Sequence, residues 1–172
     1  MANEAWLNGK LPEFSPLVMP AAHALVQAIA DLEKFVRHLS VEELFKRPNN
    51  SSSIAFHLRH IAGSIDRLLT YSRGEELSAL QFEMLKAENN YNLDLNTDEL
   101  VQKAIDKIYN ALDALKNVAP ESLFETRFVG RGKLSTNVFG LLFHIAEHTA
   151  RHVGQVATLA GIVQKSGNKL NL

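Results

Sequence analysis

Residues 135–165, which run STNVFGLLFHIAEHTARHVGQVATLAGIVQK, give the clearest indication of the fold. Apolar residues recur in it at spacings of three and four, which predicts an α-helix. Ser135-Thr136-Asn137 are capping residue types that begin a helix, and Gly167 predicts its end near Lys165. The apolar stripe consists of Val138, Leu141, Ile145, Val156, Leu159 and Val163. Such a stripe indicates a helix that packs one face against other helices.

Three further segments have the same helical periodicity. They cover residues 16 or 20 to 39, residues 54–74 and residues 96–119. Ser53 and Asn96 precede the last two segments as capping residues. Four amphipathic helices predict an all-α fold, a four-helix bundle of the up-down type.

The segments between these helices are shorter or less regular. Ser40 caps a short helical segment, Val41–Phe45. Residues 75–95 form a longer irregular connection between the second and third helices, with room for a short helix around residues 77–87. Residues 124–134 leave room for a short extended excursion around a loop at residues 130–132. We expect one domain over residues 1–172, with residues 1–15 as an N-terminal extension.

Composition excludes several classes of protein. The 172 residues are 46% hydrophobic and 22% charged, as in globular proteins, and the formal net charge of −1 argues against nucleic acid or an anionic membrane as a partner. The absence of cysteine excludes disulfides and thiolate metal sites. The start of the chain does not resemble a secretory signal, and no apolar run approaches the ~20 residues of a membrane helix. We therefore expect a cytoplasmic protein without a membrane partner.

Histidine is the strongest functional signal in the chain. Two of the seven histidines, His148 and His152, lie one turn apart at the centre of the apolar stripe of the fourth helix. This spacing aims two imidazoles at one point, as helical metal sites require. Buried imidazoles need partners for their nitrogens, which a metal ion would supply. The alternative is a pair of core histidines that are hydrogen bonded to backbone or water.

The second helix carries two more histidines, His57 and His60, on one flank of its apolar stripe. Either could supply a third ligand, and helical periodicity alone favours His57 because it lies nearer the stripe. The alternative for each is a histidine at the solvent edge of the bundle.

Other catalytic patterns are absent or weak. The inverted zinc-protease motif His-x-x-Glu-His matches from His144 to His148, but only 24 residues follow in which a further glutamate ligand could lie. The helix stripes lack the glutamates of a diiron carboxylate bundle. The basic loop RFVGRGK at residues 127–133 could bind an acidic group, although a solvated loop explains it better.

Two blocks of this sequence resemble the DinB/YfiT-like metalloenzyme family of four-helix bundles. Residues 53–62, SIAFHLRHIA, are similar to the second-helix segment, in which the metal-binding histidine follows a capping serine by seven residues. Residues 148–155, HTARHVGQ, resemble the fourth-helix His-x-x-x-His segment, with Val153 where arginine is common. The resemblance implies a three-histidine metal site formed by His60, His148 and His152. It leaves open whether His57 or His144 takes part.

The resemblance also implies a function. Some members of the family are S-transferases or isomerases that use low-molecular-weight thiols. For this chain we expect a divalent metal ion, zinc or nickel first and manganese or iron next. A small-molecule substrate, such as a thiol, is the expected partner, and a homodimer is the expected assembly. The alternatives are a metal-dependent hydrolase and a non-catalytic, metal-stabilised interaction module.

Overall fold

The computed structural model describes residues 3–90 and 96–168, and four long helices form its framework. They are α1 (Met19–Val36), α3 (Ile54–Ser72), α5 (Thr97–Asn117) and α6 (Val138–Asn168). Two shorter helices, α2 (Val41–Phe45) and α4 (Ala79–Ala87), lie in the connections that follow α1 and α3. The expected all-α four-helix bundle is thus confirmed, as are the short helices after Ser40 and within the connection of residues 75–95. Residues 91–95 of that connection lie outside the described residues.

The order of the helices around the bundle differs from a simple up-down arrangement, in which consecutive helices are neighbours. Helices α1 and α3 each pack against both α5 and α6, so α1 lies diagonally opposite α3, and α5 lies opposite α6. Long connections make this order possible, because residues 37–53 and 118–137 are long enough to cross the end of the bundle. As a result α3 and α6, which carry the histidine blocks, are direct neighbours.

Side-chain caps fix where the helices begin. The Ser53 hydroxyl accepts a hydrogen bond from the backbone N–H of Phe56 at 3.2 Å. Asn96 and Glu99 form a reciprocal capping box at the start of α5. Each cap satisfies backbone N–H groups that the first turn of a helix leaves without an internal partner.

The core is continuous along the bundle. Its fully buried large side chains come from all four long helices and include Leu25, Leu32, Leu58, Ile61, Ile65, Ile105, Ile108 and Ile145. Among the helices of residues 3–90 and 96–168, none combines the length and apolar character needed to cross a membrane.

A β-hairpin precedes α6 and changes where that helix begins. Strands β1 (Thr126–Val129) and β2 (Leu134–Asn137) pair antiparallel, so residues 135–137 belong to a strand rather than to the first turn of the helix. Asn137 still caps α6, since its Oδ1 accepts a hydrogen bond from the N–H of Gly140 at 2.7 Å. The side chain of Arg127 in β1 donates to the carbonyl of Ser72 at 2.7 Å, which ties the hairpin to the end of α3.

Candidate metal centre

Three histidines meet where α3 packs against α6. His60 lies in the second turn of α3, and His148 and His152 lie one turn apart on α6. One ring nitrogen from each of the three residues lies within 4.8 Å of the other two. The ring centroids of His148 and His152 are 4.5 Å apart, as are those of His60 and His152. The structure thus brings together the three residues that the resemblance selected.

The tautomer of His60 follows from its hydrogen bonds. Its Nδ1 lies 2.7 Å from Oε2 of Glu88. An ionised carboxylate can only accept, so Nδ1 carries a proton, and in the neutral ring Nε2 keeps its lone pair. Burial raises the pKa of the Glu88 carboxyl, but hydrogen bonds from His60 and Arg67 outweigh it and hold that pKa below its usual value. Nε2 of His60 lies 2.9 Å from Nε2 of His148.

His57 takes part in the cluster as the partner of His152. It is buried, with 5% of its surface exposed, and its Nδ1 lies 2.9 Å from Nδ1 of His152. One of these two rings must donate this hydrogen bond. If His152 donates, its Nε2 lone pair remains free for a cation. Helical periodicity favoured His57, and this residue is indeed buried within the cluster. It lies outside the group of three.

Burial lowers the pKa of three of the clustered imidazoles. It lowers the pKa of His148 and of His152 to about 4, with a further contribution from the neighbouring His60 ring. Burial also lowers the pKa of His57, and His60 adds to that effect. Neutral imidazole is the form that offers a lone pair to a cation, so His148 and His152 are in the state that cation binding requires at pH 7.

A second group of possible ligands lies at the edge of this cluster. His144, Glu147 and His148 also bring one ligand atom each within 4.8 Å of one another. Glu147 already accepts hydrogen bonds from His144 at 2.6 Å and from Arg151 at 2.7 and 2.8 Å. This is the inverted-motif segment, and its glutamate is held in ion pairs on an exposed surface.

Comparison with known proteins identifies the family. The family model of the DinB superfamily matches residues 24–156, which is more than half of the chain. The chain belongs to the DinB superfamily. A search of curated proteins finds no match. Membership in the DinB superfamily and the histidine groups on α3 and α6 are together compatible with a metal-dependent protein.

The residues of this DinB superfamily protein fit a divalent cation by their own chemistry. If both His60 and His148 present lone pairs at Nε2, the 2.9 Å between them is repulsive unless a cation lies between them. Two ligand nitrogens that each lie 2.0–2.1 Å from one ion are about 3 Å apart, close to that distance. The other nitrogen of His148, Nδ1, is buried without a hydrogen-bond partner among the described residues. Hydrogen bonds within the protein therefore leave this ring incompletely satisfied.

Sequence reasoning missed the surroundings of His60. Glu88, which contacts it, follows 28 residues later, just after α4, and is 5% exposed. Arg67 donates to the other oxygen of Glu88 at 2.8 Å. Gly63 makes room for this pair, because a Cβ at residue 63 would lie 2.6 Å from Glu88 Oε1 and 2.7 Å from Arg67 Nη1. A glycine one turn after a histidine inside an amphipathic helix is the signal that could have indicated such a close approach.

Proposed function

We propose that His60, His148 and His152 bind one divalent cation between α3 and α6. The observation that carries this proposal is the convergence of one nitrogen from each ring, all within 4.8 Å of one another. Three imidazoles leave coordination positions open to another molecule, as catalytic sites do and closed structural sites do not. Imidazole ligands favour zinc or nickel, followed by manganese or iron.

The chain's own residues prepare this site. When bound, a divalent cation would lower the pKa of a thiol or a water molecule presented to it and so supply a nucleophile near neutral pH. The ring of Phe56 stacks on one face of the His60 imidazole, with the centroids 5.4 Å apart. His148 and His152 stay neutral because burial lowers the pKa of each to about 4.

The reaction that we propose is transfer of a low-molecular-weight thiol to an electrophilic small molecule. A carbon–sulfur bond forms, the bond from that carbon to its leaving group breaks, and the leaving group takes the electron pair. The thiol proton ends on the leaving group, so nothing is oxidised or reduced. The resemblance to thiol-dependent family members favours a thiol over water. Hydrolysis would use the same open positions, with water in place of the thiol.

Metal content tests the first part of the proposal. Protein purified without a histidine tag should contain close to one equivalent of a divalent transition metal by elemental analysis. His152→Ala should lose this metal. His23→Ala is the matched control, because His23 lies on α1 and its Nε2 contacts the carbonyl of Gly9 instead of the cluster. Wild-type protein without bound metal, and without affinity for added zinc or nickel, would contradict the proposal.

Turnover tests the second part. Metal-loaded wild-type protein should conjugate a thiol such as cysteine or glutathione to a chromogenic aromatic electrophile, whereas His152→Ala and the chelator-treated protein should not. His23→Ala should retain the wild-type rate. Hydrolysis of an ester substrate without any thiol transfer would favour the hydrolase. Metal-dependent stabilisation without either activity would favour an interaction module.

A further inference from the structure

Glu88 is a buried carboxylate in a part of the chain that otherwise contributes little to the core. It lies at the C-terminal cap of α4, and only 5% of its surface is exposed. Buried carboxylates are rare, and they need charge or hydrogen-bond partners. Glu88 has both, because Oε2 accepts from Nδ1 of His60 at 2.7 Å and Oε1 accepts from Arg67 at 2.8 Å.

The two oxygens of Glu88 have different hydrogen-bond partners. The Oε1–Arg67 ion pair holds the carboxylate against α3, and the Arg67 side chain is itself only 11% exposed. Oε2 is then left to face His60, whose side chain is 21% exposed. A ring nitrogen that donates to a fixed carboxylate determines both the tautomer and the rotation of its imidazole. Arg67 and Gly63 provide the charge and the space that keep the carboxylate fixed.

Helix α4 is attached to the bundle mainly by polar contacts. Over the described part of the chain, residues 79–87 include no buried side chain. The exposed apolar side chains of this helix are Leu80, Phe82, Met84 and Leu85. Gln81 donates to Asp66 Oδ2 at 2.7 Å and to Thr70 Oγ1 at 2.8 Å. Because α4 buries little apolar surface, it depends on these polar contacts to remain docked. The contacts of Glu88 are the most deeply buried of them.

We propose that Glu88 is a positioning residue that keeps His60 in the Nδ1–H tautomer, and that this contact couples the docking of α4 to cation binding. The tautomer part stands independently of any cation, and the coupling part rests on the proposed function. With Glu88 in place, the His60 lone pair at Nε2 points towards His148. Coupling is reciprocal, so whatever stabilises His60 in this orientation also stabilises α4 on the bundle.

The tautomer of His60 gives a test that needs no metal. Long-range ¹H–¹⁵N correlation spectra of the metal-free protein should show Nδ1–H for His60 in wild type and in Glu83→Ala. Glu83 is the matched control, because it lies on the same helix and, among residues 3–90 and 96–168, its ion pair is with Lys86 on the exposed side. Glu88→Ala should shift the proton of His60 to Nε2. Glu88→Gln should restore Nδ1–H, because its amide oxygen still accepts the hydrogen bond.

Cation affinity gives the second readout. Titration with Zn²⁺ should give a Kd about 10- to 100-fold weaker for Glu88→Ala, the range for loss of a group that orients a metal-binding histidine. Zn²⁺ should also slow amide hydrogen exchange in residues 79–87 of wild type and Glu83→Ala but not of Glu88→Ala. If Glu88→Ala does not fold, Gly63→Ala replaces it, because it displaces the carboxylate without removing it.

The two readouts separate the possible failures. An unchanged His60 tautomer in folded Glu88→Ala, or in Gly63→Ala where that variant replaces it, would overturn the positioning role. Equal Zn²⁺ affinity in wild type and Glu88→Ala, or equal slowing of exchange in α4, would overturn the coupling. Wild-type protein that binds no cation would defeat the proposed function and the coupling, while the tautomer measurement would still decide the role of Glu88.

Discussion

His60 Nε2 lies 2.9 Å from His148 Nε2, although the two residues are 88 positions apart in the chain. Nδ1 of His60 donates its proton to Glu88, so Nε2 of the neutral ring can only accept or coordinate. In the metal-free protein His148 must donate a proton into this contact, and in the metal-bound protein a cation would replace that proton. This contact distinguishes the two states of the site, and it underlies the predictions that follow.

The first prediction concerns which histidines bind the cation. His152→Ala should weaken Zn²⁺ binding by more than about 100-fold, because a lost ligand costs more than a lost hydrogen-bond partner of a ligand. His144→Ala should change the Kd by less than about threefold, because His144 lies outside the group of three. Competition titration with a chromogenic chelator measures both affinities. If His144→Ala weakened Zn²⁺ binding more than His152→Ala, the cation would bind instead to the group of His144, Glu147 and His148.

The second prediction concerns stability on metal removal. A ligand at 100 times its Kd stabilises a protein by about 2.7 kcal/mol. For a chain of this length that corresponds to a rise in Tm of roughly 5–10 °C. Calorimetric melting of wild type with Zn²⁺ and with chelator should show this difference, and His152→Ala should show none. An equal shift in His152→Ala would mean that the ion binds elsewhere.

The third prediction concerns pH. The pKa values of His148 and His152 in the folded state are lowered to about 4, whereas an unfolded histidine titrates near its ordinary value of 6.5. Between these two pH values the unfolded chain binds more protons than the folded chain, so the free energy of unfolding falls as pH falls from 6.5 towards 4. Urea unfolding of the metal-free protein at pH 7.0, 5.5 and 4.5 should show this loss.

The control for the pH prediction is the double variant His148→Gln, His152→Gln. It removes both partly buried imidazoles and should therefore lose less stability than wild type over the same pH range. Parallel pH profiles for wild type and the double variant would show that other groups cause the loss.

The fourth prediction concerns Gly63. A Cβ there meets only the ends of the Glu88 and Arg67 side chains, which can move aside, and alanine gains up to about 1 kcal/mol of helix propensity over glycine. Gly63→Ala should therefore change the free energy of unfolding little but weaken Zn²⁺ binding several-fold, because it displaces the carboxylate behind His60. Chemical unfolding and metal titration measure the two quantities separately.

Gly161→Ala is the matched control for Gly63→Ala. Gly161 lies on α6, where an added Cβ would have no heavy atom within 4 Å. This change should stabilise the protein by about 0.5–1 kcal/mol and leave Zn²⁺ affinity unchanged. An unchanged Zn²⁺ affinity in Gly63→Ala as well would contradict the role assigned to the space beside Glu88.

Local signals were sufficient to predict the helices of this protein. Ser53 and Asn96 cap helices where the sequence places them, because a cap depends only on residues within one turn. Ser135-Thr136-Asn137 were expected to cap the fourth helix, and Asn137 does so, but the same residues also pair with β1 as a strand, which the sequence pattern did not predict. The order of helices around the bundle depends on how the connections cross its ends. Local sequence patterns do not predict this order.

Part of the candidate site was also predictable, because it depends on residues that are close together in the sequence. His148 and His152 share one helix, so their mutual placement follows from helical geometry. Helical periodicity ranked the two histidines by their closeness to the apolar stripe and favoured His57, which is indeed the buried one. The family resemblance selected His60 instead. Glu88 reaches His60 only because α4 folds back onto α3, a tertiary contact that spacing along the chain does not encode.

The histidines of the cluster come from two helices that are far apart in the chain. This arrangement also bears on folding kinetics. Because α3 supplies His60 and α6 supplies His148 and His152, the complete set of nitrogens exists only after these two helices have docked. If α3 and α6 dock after the folding transition state, a cation that binds all three would leave the refolding rate unchanged and slow global unfolding, since an interaction absent from the transition state acts on the unfolding step.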